Sequence, residues 1–427
     1  MPHEFGFETK MLHAGHVPDK ETGARAVPIY QTTSYVFDNA DYAASLFSLQ
    51  QYGHIYSRIS NPTTAVLEER LASLENGIGA LALSSGQAAL FNTIFTICQP
   101  GDEIVSAATL YGGTHTQMEH SLKKLSIKTH FVDPDDPENF AKAITPKTKL
   151  LYGETIGNPK NNVLDIEKVS DIAKAHNLPF MIDNTFATPY LCRPLDHGAD
   201  LVSHSATKFI GGHGTSIGGA IVDAGRFDWS RYPAIAEPSA SYHDLKFAET
   251  FGMYGLLMKI RTESLRDLGS CLSPFNAFLL IQGLETLSLR MERHCQNALT
   301  VAEFLSGHPT VAWVQYAGLK DNPYYPLAQK YLSRGAGAVF TFGIKGGREN
   351  GKRFIEALQL FSHLANVGDA KSLVIHPAST THQQMTDAEL ISCGVTPDMI
   401  RLSIGLETKE DLLWDLDQAL RASKSES

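Results

Sequence analysis

The chain has 427 residues, 43% hydrophobic and 19% charged, so it can bury a large interior and lies outside the composition range of disordered proteins. A formal net charge of -10, with no run of Lys and Arg, argues against nucleic acid or an anionic membrane as partner. Five cysteines (Cys98, Cys192, Cys271, Cys295, Cys393) stand scattered without CxxC spacing, which suggests neither a disulfide framework nor a structural zinc site. The start, MPHEFGFETKMLHAGH, lacks a basic stretch followed by an apolar core, and no segment reaches the roughly 18 apolar residues of a membrane span. The expected location is therefore the cytoplasm.

In chain order, residues 1–60 carry Pro and Thr with few helical signals and read as an extended arm that serves a neighbouring subunit. From about Gly79 to Ala224, seven short apolar runs (LALSS, EIVSA, THFVD, LLYGET, FMIDNT, DLVSHSA, GGAIVDA) alternate with helical patterns such as IEKVSDIAKAHN. Runs that are apolar on both faces and separated by helices are expected of strands in a mainly parallel sheet, which makes 61–255 an α/β ligand-binding domain. Beyond Arg226 the pattern turns irregular. A long helical reading from about Pro274 to His308 then leads into a second, smaller α/β unit that ends with IRLSIGL and a terminal helix, giving a C-terminal domain over 256–427.

Ligands of open α/β sheets sit beyond the carboxyl ends of the strands, and Ser85, Asp183, Ser205 and Thr207 fall at or just after the ends of these runs. In SHSATKFIGGHGTSIGG, Lys208 follows a strand with Ser205 and Thr207 before it, so that an amine and two hydroxyls can meet a phosphorylated ligand. Equally, that lysine could be a solvated loop residue. Asp183 ends an apolar strand, where an ionised carboxylate needs a cationic or hydrogen-bonding partner such as a protonated pyridine nitrogen; a helix cap is the alternative. Ser85, Gly86 and Gln87 form a strand-to-helix turn whose first amides make a phosphate seat, although a glycine there can also serve the turn alone. Tyr111 could stack on a flat cofactor, and Tyr56 and Arg58 could bind a phosphate dianion. Seventeen histidines, among them His204, His213, His376 and His382, show no HExxH or similar spacing, so no metal is expected.

Taken in order, the YSR, SSG, YGGT, DNT and SxxTK elements resemble the Cys/Met metabolism family of pyridoxal-phosphate enzymes over nearly the whole chain. The resemblance implies a fold-type-I, aspartate-aminotransferase-like α/β architecture. It implies that Lys208 carries pyridoxal 5'-phosphate as a Schiff base, that Asp183 pairs with the pyridine nitrogen, and that Tyr111 stacks over the ring. It further implies cofactor contacts from Ser85, Gly86, Gln87, Thr185, Ser205 and Thr207, and from Tyr56 and Arg58 of an adjacent subunit, so that the active unit is a homodimer, commonly paired into a tetramer. Arg401, Asn158 and Ser372 match positions that bind the substrate.

Within the family, methionine γ-lyases usually carry a cysteine where Gly113 stands, and cystathionine γ-lyases tend to carry a glutamate where Lys371 stands. The length, the insertion between Arg226 and about Ser270, and VGDAKSLVIHPASTTHQQ look most like the branch that performs γ-replacement, turning O-acetylhomoserine and sulfide into homocysteine and acetate. Alternatives are cystathionine γ-synthase or γ-lyase chemistry and, remotely, a non-catalytic binding protein on the same fold.

Overall fold

The computed structural model describes residues 3–380 and 394–424; His382 and Cys393 lie outside the described residues. Seven strands form the larger sheet: β1 (Gly79–Leu83), β2 (Glu103–Ala107), β3 (Lys128–Val132), β4 (Thr148–Glu154), β5 (Phe180–Asp183), β6 (Leu201–Ser205) and β7 (Gly219–Asp223). All seven apolar runs are strands. Their spatial order is β1-β7-β6-β5-β4-β2-β3. Only β7 is reversed, pairing antiparallel with both β1 and β6, because no helix separates it from β6 and the chain turns straight back.

Helices cover this sheet and aim its strand ends. Helix α1 (Pro62–Glu75) starts on an Asn61 cap, with Pro62 in its first turn, and ends on Asn76 in the left-handed region. Helix α2 (Gly86–Ile97) follows β1 directly, with the Ser85 hydroxyl accepting from the Ala88 amide. Helix α3 (Ile166–Ala175) buries Ile166, Val169, Ser170 and Ala173, the spacing of one helical face. At Gly219 a β-carbon would lie 2.0 Å from the Ser85 carbonyl oxygen, so only glycine lets β7 pass so close behind the turn that starts α2.

The single long helix expected from Pro274 to His308 is two, α4 (Pro274–Leu284) and α5 (Leu287–Gly307), interrupted at Glu285 and Thr286. Residues 256–272, placed by sequence beyond the domain boundary, run along the larger sheet: Ser270 accepts from the Ser84 amide and Cys271 bridges Leu83. The second sheet holds β8 (Val311–Gln315), β9 (Val339–Ile344), β10 (Ser362–His363), β11 (Leu373–Ile375) and β12 (Met399–Ser403), in the order β10-β11-β12-β9-β8. Helix α6 (Lys409–Ala422) closes the chain. No described helix is long and apolar enough to cross a membrane, and the described cysteines are unpaired thiols.

Candidate active site

A cavity of about 250 Å³ opens where β1, β4, β5 and β6 end, and β12 and the loop after β10 close it from the second sheet. Eleven of the residues expected at the site line it: Ser85, Gly86, Gln87, Tyr111, Asn158, Asp183, Thr185, Ser205, Thr207, Lys208 and Arg401.

Lys208 sits three residues past the end of β6, in a loop secured from below by α5. The Arg290 guanidinium donates to the carbonyls of Phe209, Ile210 and Gly283 at 2.7, 3.2 and 2.7 Å. Burial, with no carboxylate beside it, lowers the Arg290 pKa to about 10. The Lys208 ammonium donates to Asn366 Oδ1 at 2.5 Å, a contact that spans the two sheets. Burial lowers its pKa and the Arg401 charge adds to that, a setting that favours a neutral, reactive amine.

Asp183 is held at the tip of β5. Its Oδ1 accepts from the Thr185 amide at 2.9 Å, and the Thr185 hydroxyl in turn accepts from the Ser205 amide at 2.8 Å, which links β5 to β6. Burial raises the Asp183 pKa, while the Thr185 donors and the His204 charge oppose that rise. Nearby Glu154, at the end of β4, is pushed well above the usual carboxylate range by burial and then by the Asp183 charge. Its Oε1 accepts from the Tyr111 amide at 2.7 Å, so it fixes the backbone that presents the tyrosine ring.

At the opposite wall, the first amides of α2, Gly86 and Gln87, have no intrahelical acceptors and point along the positive end of the helix dipole. Ser205 and Thr207 line the cavity beside them, the Thr207 hydroxyl donating to the Gly218 carbonyl at 3.2 Å and accepting from the Gly218 amide at 3.1 Å. Arg401 donates to Asn158 Oδ1 at 3.2 Å, and burial lowers its pKa to about 10, still well above neutrality. A second chamber of about 640 Å³ adjoins the first and shares Gln87, Tyr111, Asn158 and Arg401 with it.

Three expected residues are not at this cavity. Ser372 is fully buried; its hydroxyl donates to Glu407 Oε2 at 2.9 Å and accepts from the Gly405 amide at 2.8 Å, so it braces β11 against the end of β12 and cannot reach a substrate. Tyr56 and Arg58 are exposed on the arm, the guanidinium lying 5.4 Å from the Tyr56 ring. Lys371 is likewise exposed and away from the lining, which removes it as a selector against a distal amine within this chain. Conversely, Glu154 and Asn366 were missed. Glu154 carried the same signal as Asp183, a carboxylate ending an apolar run, whereas Asn366 in HLANVGDAK had none.

Residues 8–421 match the profile of the Cys/Met metabolism PLP-dependent enzymes. The chain belongs to this family. Among its curated relatives, O-acetyl-L-homoserine sulfhydrylase of Leptospira meyeri is 55% identical, over 99% of this chain and 98% of that protein. Homocysteine synthase of Schizosaccharomyces pombe is 53% identical over 98% of each. A crystal structure described as an O-acetylhomoserine (thiol)-lyase from Campylobacter jejuni, carrying a pyridoxyl-lysine monophosphate, matches with a TM-score of 0.94 at 42% identity, covering 98% of this chain and 100% of that one. Cystathionine gamma-lyase from Lactobacillus plantarum matches with a TM-score of 0.84 at 34% identity, over 98% and 99%. The fold is thus that of the pyridoxal-phosphate enzymes of fold type I.

Pyridoxal phosphate fits the cavity as built. Lys208 would supply the amine, Asp183 an anion, and the helix α2 start with Ser205 and Thr207 an anion seat. A β-carbon on Gly86 would lie 2.9 Å from Ser205 and fill that seat.

Proposed function

We propose that this protein is an O-acetylhomoserine sulfhydrylase working in the cytoplasm as a homodimer, two of which pair into a tetramer. The observation that carries the chemistry is the placement of Lys208, an amine of lowered pKa, in one cavity with Asp183 and the Arg401–Asn158 pair. The relatives named O-acetyl-L-homoserine sulfhydrylase and homocysteine synthase support the choice of reaction.

Lys208, Asp183, Gly86, Gln87, Ser205 and Thr207 would hold pyridoxal phosphate, and Tyr111 would cover its ring. When bound, the cofactor supplies a sink for the electron pair left at the substrate α-carbon. Arg401, with Asn158 orienting it, takes the substrate α-carboxylate through its planar fork. The Lys208 amine removes the α-proton and then moves a proton at the β-carbon, with Tyr111 assisting as an acid. The γ C–O bond breaks and acetate leaves with its electron pair; hydrosulfide forms the new C–S bond, and the protons return by way of Lys208. Asp183 remains an anion throughout and keeps the sink cationic.

Two features favour acetyl over succinyl donors. Among the described residues lining the cavity, the cations are Lys208 and Arg401, both already engaged, and the remaining wall includes Ile156, Phe186, Ile217 and Val367. Among the described residues of this chain that line the cavity, a second substrate carboxylate has no free cation to meet. A matrix of O-acetyl- and O-succinylhomoserine against sulfide and cysteine, with products resolved by chromatography, tests the reading. Homocysteine and acetate from the acetyl ester and sulfide are expected. Exclusive cystathionine formation, or α-ketobutyrate release from methionine, would overturn it.

The arm supports the assembly. Tyr56 and Arg58 lie off their own chain's cavity, beside exposed apolar side chains such as Val36 (98% exposed) and Tyr52 (77%). In the dimer they contact the cofactor phosphate of the neighbouring subunit. Mixing inactive Arg58→Ala subunits with inactive Lys208→Ala subunits should restore activity, because one site of each hybrid dimer then has both residues. Hybrids without activity would refute the shared site.

A further inference from the structure

Behind the cavity lies a buried polar cluster for which the proposed chemistry has no use. Glu75, the last residue of α1, and His204, on β6, are both fully enclosed, and His204 Nε2 lies 2.7 Å from Glu75 Oε1. The same oxygen accepts from Asn184 Nδ2 at 2.9 Å. Asn184 also donates to the Cys192 carbonyl and accepts from the Thr155 hydroxyl at 2.8 Å. One carboxylate oxygen therefore holds the residue after Asp183 and the residue before Ser205, and through Asn184 it reaches the end of β4 as well.

Placing such a carboxylate in the interior is costly unless the group it orders returns the free energy. Glu75 Oε2 and His204 Nδ1 have no hydrogen-bond partner among the described residues, so the cluster is not a fully satisfied packing network. Asp183 has the opposite need. It stands near a second buried carboxylate, Glu154, and must stay anionic to pair with a cationic ring nitrogen; the His204 charge acts on it in that direction.

We propose that Glu75 and His204 form a positioning pair behind the cofactor cavity, which holds Asp183 as an anion aimed at the ring nitrogen of bound pyridoxal phosphate. This rests on the assignment of Asp183 to that nitrogen. Glu75 orients His204 and Asn184 together, and so places the ring whose charge favours the Asp183 anion. Neither touches the cofactor or the substrate.

The test is a double-mutant cycle on cofactor retention: holoenzyme of the parent, Glu75→Gln, Asp183→Asn and the double variant is dialysed to equilibrium, and the dissociation constant for pyridoxal phosphate is read, alongside the Tm of each cofactor-free form. Glu75→Gln should weaken retention about tenfold, and the double variant should retain cofactor no worse than Asp183→Asn alone, because both changes remove the same interaction. If the two losses multiply, Glu75 acts on the fold at large and the inference is wrong. If Asp183→Asn leaves retention unchanged, the Asp183 assignment fails and this inference fails with it. Should Glu75→Gln not fold, His204→Gln enters the same cycle: it keeps a donor toward Glu75 but can carry no charge, and the same non-additivity is expected.

Discussion

Asn366 ties the reacting amine to a side chain that touches neither strand ends nor helix start of the larger sheet. Its carbonyl oxygen gives the Lys208 ammonium a fixed direction, so Asn366→Ala should lower kcat about tenfold while KM for the ester donor changes little. Asn366→Asp should move the acidic limb of the pH–rate profile to higher pH, since a carboxylate there favours protonated lysine. Steady-state kinetics across pH checks both. Gly113 acts at the same scale: a β-carbon there would lie 2.5 Å from the Tyr111 ring, so any larger residue requires that ring to move. Residues in strand-end motifs were legible because the alternation of apolar run and polar tip announces them. Asn366 and Glu75 were not, because a lone polar residue acquires meaning only from what the fold brings against it. Ser372 shows the converse error, a motif position whose side chain faces inward.

Among the elements, α5 matters most to the site. Replacing Arg290 by Met leaves the Phe209 and Ile210 carbonyls of the Lys208 loop without their donor, at a cost of about 2 kcal/mol or more, and should loosen cofactor binding together with stability. Denaturation of the variant with and without cofactor measures both losses. The strands themselves were readable from sequence, since a parallel strand buried on both faces is apolar throughout. The direction of β7 was not, because reversal changes its partners' hydrogen-bond pattern but not its side chains. The break between α4 and α5 was equally silent: no proline marks Glu285 and Thr286, and tertiary packing alone sets it.

For the whole molecule, the acid groups at the far ends of β6 and β7 tune stability. Burial raises Asp223 to about 7, helped by the Asp200 charge, and raises Asp200 to about 6. An unfolded aspartate titrates near 4, so between roughly pH 4 and 7 the folded chain binds more protons than the unfolded one, and stability falls as pH rises through that window. Asp223→Asn should remove much of this slope, so that the Tm of the variant gains about 3 °C on the parent between pH 5 and 8. Scanning calorimetry of holoenzyme decides it; parallel Tm curves for the two proteins would refute the assignment. The hydrogen bond across the two sheets has a kinetic corollary. Once Lys208 joins a carbonyl as an imine it keeps at most one N–H, so loading weakens its grip on the Asn366 oxygen. By thermodynamic reciprocity, whatever draws the 364–368 loop away from the lysine eases capture of the coenzyme, while capture loosens that loop.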